Sequence, residues 1–364
     1  MSRRLITAID IDGAGQHPGA WRGSETDPAA ILTGELALRA VQRAEAAGVD
    51  LATFADTLEA PADDVARVSA RVDALALAAR IAPVTDRIGL VPTVTTTHTE
   101  PFHLQASVAT LDHVSYGRAG WLVEVSTTDE AAAVIGRRTK APAAETWREA
   151  RYVVDVSRRL WDSWEDDAII RDVETGRFID RDRLHSVGFE SPSFSVKGPS
   201  IVPRPPQGYP VTFLRLSSQE ALQVAGDADV VLLPGIADLQ SRVGAAREAG
   251  AGKVLLSLSV LLADDIDTAL RRADDLGPGT VELDHVGGVG SLADSIIEWV
   301  AAGVDGIHLR PASLEVDVPV IADRLLPLLR EKRLVGPAAD RPQTLRNRLG
   351  LRRPTNQYAA GSQE

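Results

Sequence analysis

Polar side chains recur in this sequence just past short apolar runs, and their types limit the chemistry open to them. Asp12 and His17 follow the first run, Asp56 the second, Thr93, Thr95 and His98 the third, and Ser126 the fourth. Ser217 and Ser218 follow the fifth run, and Arg310 the last. Hydroxyls and carboxylates so placed can orient a polar ligand, and His17 and His98 are the candidate catalytic residues because imidazole titrates near neutral pH. Taken singly, each is also an ordinary loop hydrogen bond or helix cap. Their shared position favours a lined pocket.

Other chemistries find no support. His98 and His103 stand five apart across a loop–helix junction, and no His-Glu-x-x-His occurs, so no metal site is expected. No Gly-x-Ser-x-Gly elbow marks a serine nucleophile, and the pairs Asp166-Asp167 and Asp264-Asp265 are sequence neighbours that point apart on a helix. Gly287-Gly288-Val289-Gly290-Ser291 opens a helix and reads as a tight turn with Ser291 as cap, an anion seat being the alternative. Trp161 and Trp164, at i and i+3 of a helix end, read as core packing.

Eight β-branched runs position these residues: Leu5–Ile11, Val49–Ala55, Ile88–Val94, Ala119–Val125, Val211–Leu216, Asp229–Leu233, Val254–Val260 and Val304–Leu309. They are continuously apolar rather than alternating, as parallel strands covered by helices are. The spacing predicts helices over Thr33–Ala47, Ser69–Ala82, Pro101–His113, Ala144–Trp164, Ser218–Gly226, Asp238–Ala249, Ser291–Ala302 and Val320–Arg330. Gly48 and Gly250 mark helix ends, and Pro101 a helix start. Eight strand–helix units predict a closed (β/α)8 TIM barrel, whose active sites lie at the C-terminal ends of the strands. The glycines of Asp12-Gly13-Ala14-Gly15 stand about twenty residues before the next helix, too far for a dinucleotide fingerprint.

Residues 1–334 are read as one barrel domain with excursions near 168–207 and 263–290, and 335–364 as a C-terminal arm packing on the barrel or a neighbouring subunit. The composition, 44% apolar and 25% charged, is that of a globular chain long enough to need no disulfide or metal staple. Absence of cysteine removes thiolate chemistry and suits a reducing compartment. A net charge of -12 without basic clusters disfavours nucleic acid. With no secretory h-region and no apolar run of membrane-spanning length, the protein is expected to be cytoplasmic and to work without a membrane.

A series of stretches resembles the flavin-dependent monooxygenases of the nitrilotriacetate monooxygenase component A type, a branch of the bacterial-luciferase-like superfamily. The series opens with Gly15-Gln16-His17-Pro18-Gly19-Ala20-Trp21-Arg22 and Phe54-Ala55-Asp56. It continues through Ile88-Gly89-Leu90-Val91, Thr95-Thr96-Thr97 and Glu100-Pro101-Phe102 to Leu111-Asp112-His113-Val114-Ser115-Tyr116-Gly117-Arg118-Ala119-Gly120-Trp121. The tryptophan segment, Gly198-Pro199, Pro206-Gln207-Gly208-Tyr209-Pro210-Val211, Thr344-Leu345-Arg346, Leu349-Gly350-Leu351 and Pro354-Thr355-Asn356 complete it.

The resemblance implies a luciferase-like TIM barrel and an oxidoreductase. It implies reduced FMN supplied by a separate NAD(P)H:flavin reductase, with oxygen then used to oxygenate a small-molecule substrate. Asp56, Thr93 and Ser218 fall on the family's flavin contacts, and Ser126 on the serine ending its fourth-strand motif. Departures accompany these matches. The family's Asn after Gly-Trp is Leu122, its Thr-Ser pair is Val125-Ser126, and its His-x-x-x-Tyr falls on Ala143 and Trp147. Its phosphate loop has become Arg215-Leu216-Ser217-Ser218-Gln219-Glu220-Ala221, without either glycine, and Arg215 is the candidate cofactor-binding cation there, able to offset Glu220. The second excursion is shorter than the family's capping segment. A paralogue without flavin chemistry, serving as a partner or small-molecule-binding subunit, remains the alternative, and a homodimer stays open.

Overall fold

The computed structural model describes residues 4–23, 27, 29–59, 70–277, 282–337 and 341–359. The apolar runs become strands β1 Ile6–Ile11, β2 Leu51–Phe54, β3 Gly89–Thr95, β4 Gly120–Glu124, β5 Val211–Arg215, β6 Val230–Pro234, β7 Lys253–Ala263 and β8 Gly306–Pro311. Each pairs in parallel with its neighbours, β8 returns to both β1 and β7, and β6 pairs with β7, so the sheet closes. This is the luciferase-like (β/α)8 barrel expected from the sequence.

Strand parity divides the side chains. Ile6, Ala8, Leu51, Val91, Leu122, Val211, Phe213, Val230, Leu232 and Leu255 fill the lower lumen, while alternate residues such as Ile9, Ala52, Leu90, Trp121 and Leu214 pack outward under the helices. Burial of both faces explains why the runs lack polar alternation. The C-terminal arm closes the lower end: Leu345, which opens the short helix Leu345–Arg348, and Leu349, which caps it, join the lumen cluster. Gly89 has no room for a side chain there, since a Cβ would lie 2.5 Å from Leu345 Cδ1.

The covering helices are α1 Glu35–Ala46, α2 Ala74–Ile81, α3 Pro101–Val114, α4 Ala143–Asp162, α5 Gln219–Leu222, α6 Leu239–Glu248, α7 Val289–Ala301 and α8 Leu314–Val320. Gly48 and Gly250 adopt positive φ just past α1 and α6, and Pro101 opens α3.

Several expectations need correction. Ser291 is not the cap of α7: Gly288 holds that position, and Ser291 Oγ donates to its carbonyl at 2.9 Å. The helix expected over Ser218–Gly226 shrinks to one turn of α5 and a 3-10 turn, Ala225–Asp227. The helix expected from Ser69, a residue outside the described ones, starts at Ala74, capped by Asp73. The last helix begins early, at Leu314, and passes through a π turn at Ile321–Leu325, because Pro319 removes one N–H from the ladder. Helix α4 ends at Asp162, so Trp164 follows the helix rather than sharing its face with Trp161. The Trp164 indole braces the first excursion by donating to Ser200 O, while that of Trp161 donates to Gln105 O of α3.

That excursion forms two small ribbons, Ile169–Asp172 with Arg177–Ile179 and Phe189–Glu190 with Ser195–Val196. Val187, Phe189 and Val196 pack on α4 through Val156 and Leu160. The second excursion, for which no element was predicted, contains the helix Ile266–Leu276 and a strand, His285–Gly288, paired with the end of β7.

Candidate active site

The barrel lumen changes character along its length. Above the apolar layer, the inward positions are Asp10, Thr53, Thr93, Thr95, Glu124, Arg215, Ser257, Ser259, His308 and Arg310, all toward the C-terminal ends of their strands. A core built for stability alone would continue in Val and Leu, so this polar layer marks the end of the barrel where chemistry is placed.

Part of the layer is locked. Thr53 Oγ1 bonds Asp10 and lies 2.8 Å from His308 Nε2, and Ser257 Oγ lies 2.8 Å from His308 Nδ1. Burial pushes the fully enclosed His308 down to about 3, so the ring is neutral and serves as a bridge. Arg310 is held by Gln16 and Ser259, with its Nε 3.8 Å from Asp10, and Gln16 Nε2 donates to Asp10 at 2.8 Å. Gln16 thereby fastens the loop after β1 over the barrel. Gly15 fits there because a Cβ would meet Ala312 O at 2.2 Å, and His17 N and Gln16 N donate to the carbonyls of Ala312 and Pro311.

Beside this layer a cleft of about 480 Å³ opens between the ends of β2–β4 and helices α2 and α3. It brings together Asp56, Thr93 and Ser126, with Thr95, Glu124 and His103 among its other polar residues, Glu59 and Asp73 adding two more carboxylates, and Val94, Leu75 and Leu104 among its apolar walls. Asp56 accepts from Thr57 N at 2.8 Å and from Ala74 N at 2.9 Å, which ties the β2 loop to the start of α2 and leaves a lone pair on each oxygen. Burial raises its pKa against those two bonds. Ser126 Oγ lies 3.1 Å from Thr95 Oγ1, and Ser126 N donates to Thr97 Oγ1. Glu124 accepts from Val125 N at 3.0 Å and makes no ion pair among the described residues; burial raises its pKa, and Arg215 opposes the rise without reversing it.

The other sequence candidates lie elsewhere. Ser218 follows β5 at the same barrel end but does not line the cleft; its Oγ accepts from Ala221 N as the cap of α5. Arg215 shares the inward parity of Val211 and Phe213, so its side chain enters the lumen instead of extending over Ser217. His17 Nδ1 accepts from Gly19 N at 3.1 Å, and its pKa is lowered first by burial and then by Arg22. His98, at φ 67, lines a separate cleft with Arg137, Arg138 and Glu149; burial lowers its pKa, Arg138 adding to this. Among the described residues no cluster of His, Cys, Asp and Glu suits a metal. Sequence reasoning missed Glu124, although a carboxylate ending the run Trp121-Leu122-Val123 with the parity of inward Leu122 was a readable signal.

The pattern that describes luciferase-like monooxygenases matches residues 16–305 of this chain. The chain belongs to that family. This luciferase-like monooxygenase, an oxidoreductase by its family, aligns with N-acetyl-S-(2-succino)cysteine monooxygenase of Bacillus subtilis (strain 168) at 26% identity, covering 98% of this chain and 99% of that one. The alignment runs over 436 positions against a chain of 364, so that relative carries segments absent here. Nitrilotriacetate monooxygenase component A of Aminobacter aminovorans is 34% identical over 60% of this chain and 51% of its own length. EDTA monooxygenase from Chelativorans sp. BNC1 shares the fold, with a TM-score of 0.86 at 21% identity over 96% of this chain and 99% of that one.

Proposed function

We propose that this luciferase-like monooxygenase is the oxygenase half of a two-component system: a separate NAD(P)H:flavin reductase supplies reduced FMN, and the chain uses it with O2 to oxygenate a small organic substrate. The observation that carries this reading is the cleft that gathers Asp56, Thr93 and Ser126. Its volume, about 480 Å³, lies in the range of cofactor pockets, and apolar walls faced by hydroxyls and carboxylates suit a flat ring with a polar edge. In this reading Thr93 and Ser126 bond the ring edge, and Asp56 orients it through the lone pairs left by its two backbone bonds. Ser217 is exposed and its Oγ has no partner among the described residues, and Ser218 keeps its O–H proton while capping α5, so both can donate to the phosphate. Bound reduced flavin supplies the electrons that activate oxygen, chemistry that no side chain here could perform.

The rival, a non-flavin partner subunit, draws on the loop after β5, where Leu216 and Ala221 stand in place of glycines and Ser218 Oγ is engaged. Turnover separates the two. The chain, a flavin reductase, FMN and NADH are supplied with isotopically heavy oxygen gas and a panel of thioethers, amines and ketones. Transfer of one heavy oxygen atom to a panel member supports the oxygenase; its absence throughout, with the flavin unbound, favours the rival.

A further inference from the structure

Arg215 stands apart from the other charges of the upper lumen. It ends β5 above Phe213, in register with Leu232 of β6, and its side chain is half-buried. Arg310 across the barrel is committed to Gln16, Ser259 and Asp10. The Arg215 guanidinium has no hydrogen bond and no ion pair among the described residues, its carbonyl accepting from Ser217 N. Glu124 and Asp12 both feel its charge, yet neither closes on it. A guanidinium serving only to neutralise buried carboxylates gains most by direct contact, where a charged pair is several times stronger than across a gap. The gap instead leaves its planar fork of donors open to a third group.

We infer that Arg215 holds the carboxylate of the substrate at the barrel mouth, which makes a carboxylate-bearing molecule the substrate class of this enzyme. The inference rests on the reading of the site as an oxygenase for substrate choice, though not for binding. Carboxylate geometry matches the guanidinium fork with two parallel hydrogen bonds. A monoanion balances the single cation, whereas a phosphate dianion would meet Glu124 and Asp12 with a surplus charge.

The same fork would also suit the anionic pyrimidine edge of reduced flavin, and the test separates the two sources. Saturation-transfer NMR on the full chain compares benzoate with benzamide and succinate with succinamide, for wild type, Arg215→Met and Arg215→Lys. Anaerobic titration with reduced FMN is run on the same three proteins. Wild type is expected to bind the carboxylates and not the amides. Arg215→Met should lose carboxylate affinity at least tenfold and change reduced-FMN affinity less than threefold, while Arg215→Lys keeps part of the carboxylate binding. If Arg215→Met melts early, the Lys variant, which keeps the charge but not the fork, carries the comparison. Equal binding of acids and amides overturns the inference, as does carboxylate binding that survives both variants. A tenfold loss confined to reduced FMN also overturns it and gives Arg215 to the flavin. Carboxylate binding without any flavin binding would sink the oxygenase reading and leave this one standing.

Discussion

Replacing Glu124 with Gln should stabilise the protein at neutral pH, because the carboxylate occupies the mouth at a cost to the fold. Among the described residues its only hydrogen bond is the one it accepts from Val125 N, which a Gln carbonyl can also accept, and it closes no ion pair with them. Three effects compete: burial disfavours the charge, while the Val125 bond and the field of Arg215 favour it. Burial is the largest, since the pKa stands above the ordinary Glu value. A polar group buried with too few partners costs about 1–3 kcal/mol, and the field of Arg215 offsets part of that, so a gain of about 1 kcal/mol is expected. Unfolding entropy of about 2.1 cal/mol/K per residue puts this at only about 1–2 °C in melting temperature for a chain of this length. Urea midpoints, read by tryptophan fluorescence at unchanged m, resolve it better. The sign follows from linkage. The folded state takes up the proton at higher pH than the unfolded chain, so wild-type stability falls as pH rises from the unfolded pKa through the folded one. The advantage of Glu124→Gln should therefore be full above that window and vanish as pH falls below it. A variant less stable than wild type at pH 7, or an advantage that grows on acidification, would refute the reasoning.

His308 gives the opposite slope. Its folded pKa of about 3 lies below the unfolded value, so the unfolded chain binds the extra proton, and stability drops by about 1.4 kcal/mol for each pH unit between about 6.5 and 3. His308→Gln should flatten that part of the urea-midpoint profile between pH 7 and 5; an unchanged slope would show that the ring is not held neutral. Arg204, whose side chain is 2% exposed, donates to Asp162, Asp166 and Pro354 O, so it ties α4 to the C-terminal arm. Arg204→Met should cost about 3–5 kcal/mol, the penalty for leaving Asp162 buried without its cation, and a loss below 1 kcal/mol in urea unfolding would contradict this. Leu345→Ala should cost about 2–5 kcal/mol by opening a cavity in the lower lumen, clearly more than Leu351→Ala at its half-buried edge.

The barrel was legible because all eight strands are buried on both faces, which leaves long apolar runs that few other arrangements produce. What escaped lay in parity and in weak patterns. Glu124 and Arg215 each end such a run, and only the in–out alternation of β4 and β5 tells that both side chains turn into the lumen. The helix Ile266–Leu276 was hidden by its charges, although Asp265 caps it at Thr268 N and Ala269, Ala273 and Leu276 keep helical spacing. Asp56, Thr93 and Ser126 were legible as strand-end residues. Which of the strand-end residues share one cleft was not, because α2 and α3 form its far wall and their tilt is set by packing rather than by any local motif. Ser218 and His17 illustrate the same limit: identical residue types at neighbouring strand ends are spent on a cap and on a turn.

Anaerobic titration of the wild-type chain and of Ala76→Trp with reduced FMN most directly tests whether the cleft at the barrel mouth is a flavin site. Ala76 lines the cleft on the exposed side of α2 and bonds only through its backbone, so the indole fills the space without removing a polar partner. Saturable binding of one reduced FMN per wild-type chain is expected, weakened at least tenfold in Ala76→Trp at an unchanged melting temperature. No saturable binding to the wild type, or equal affinity in the two proteins, would contradict it.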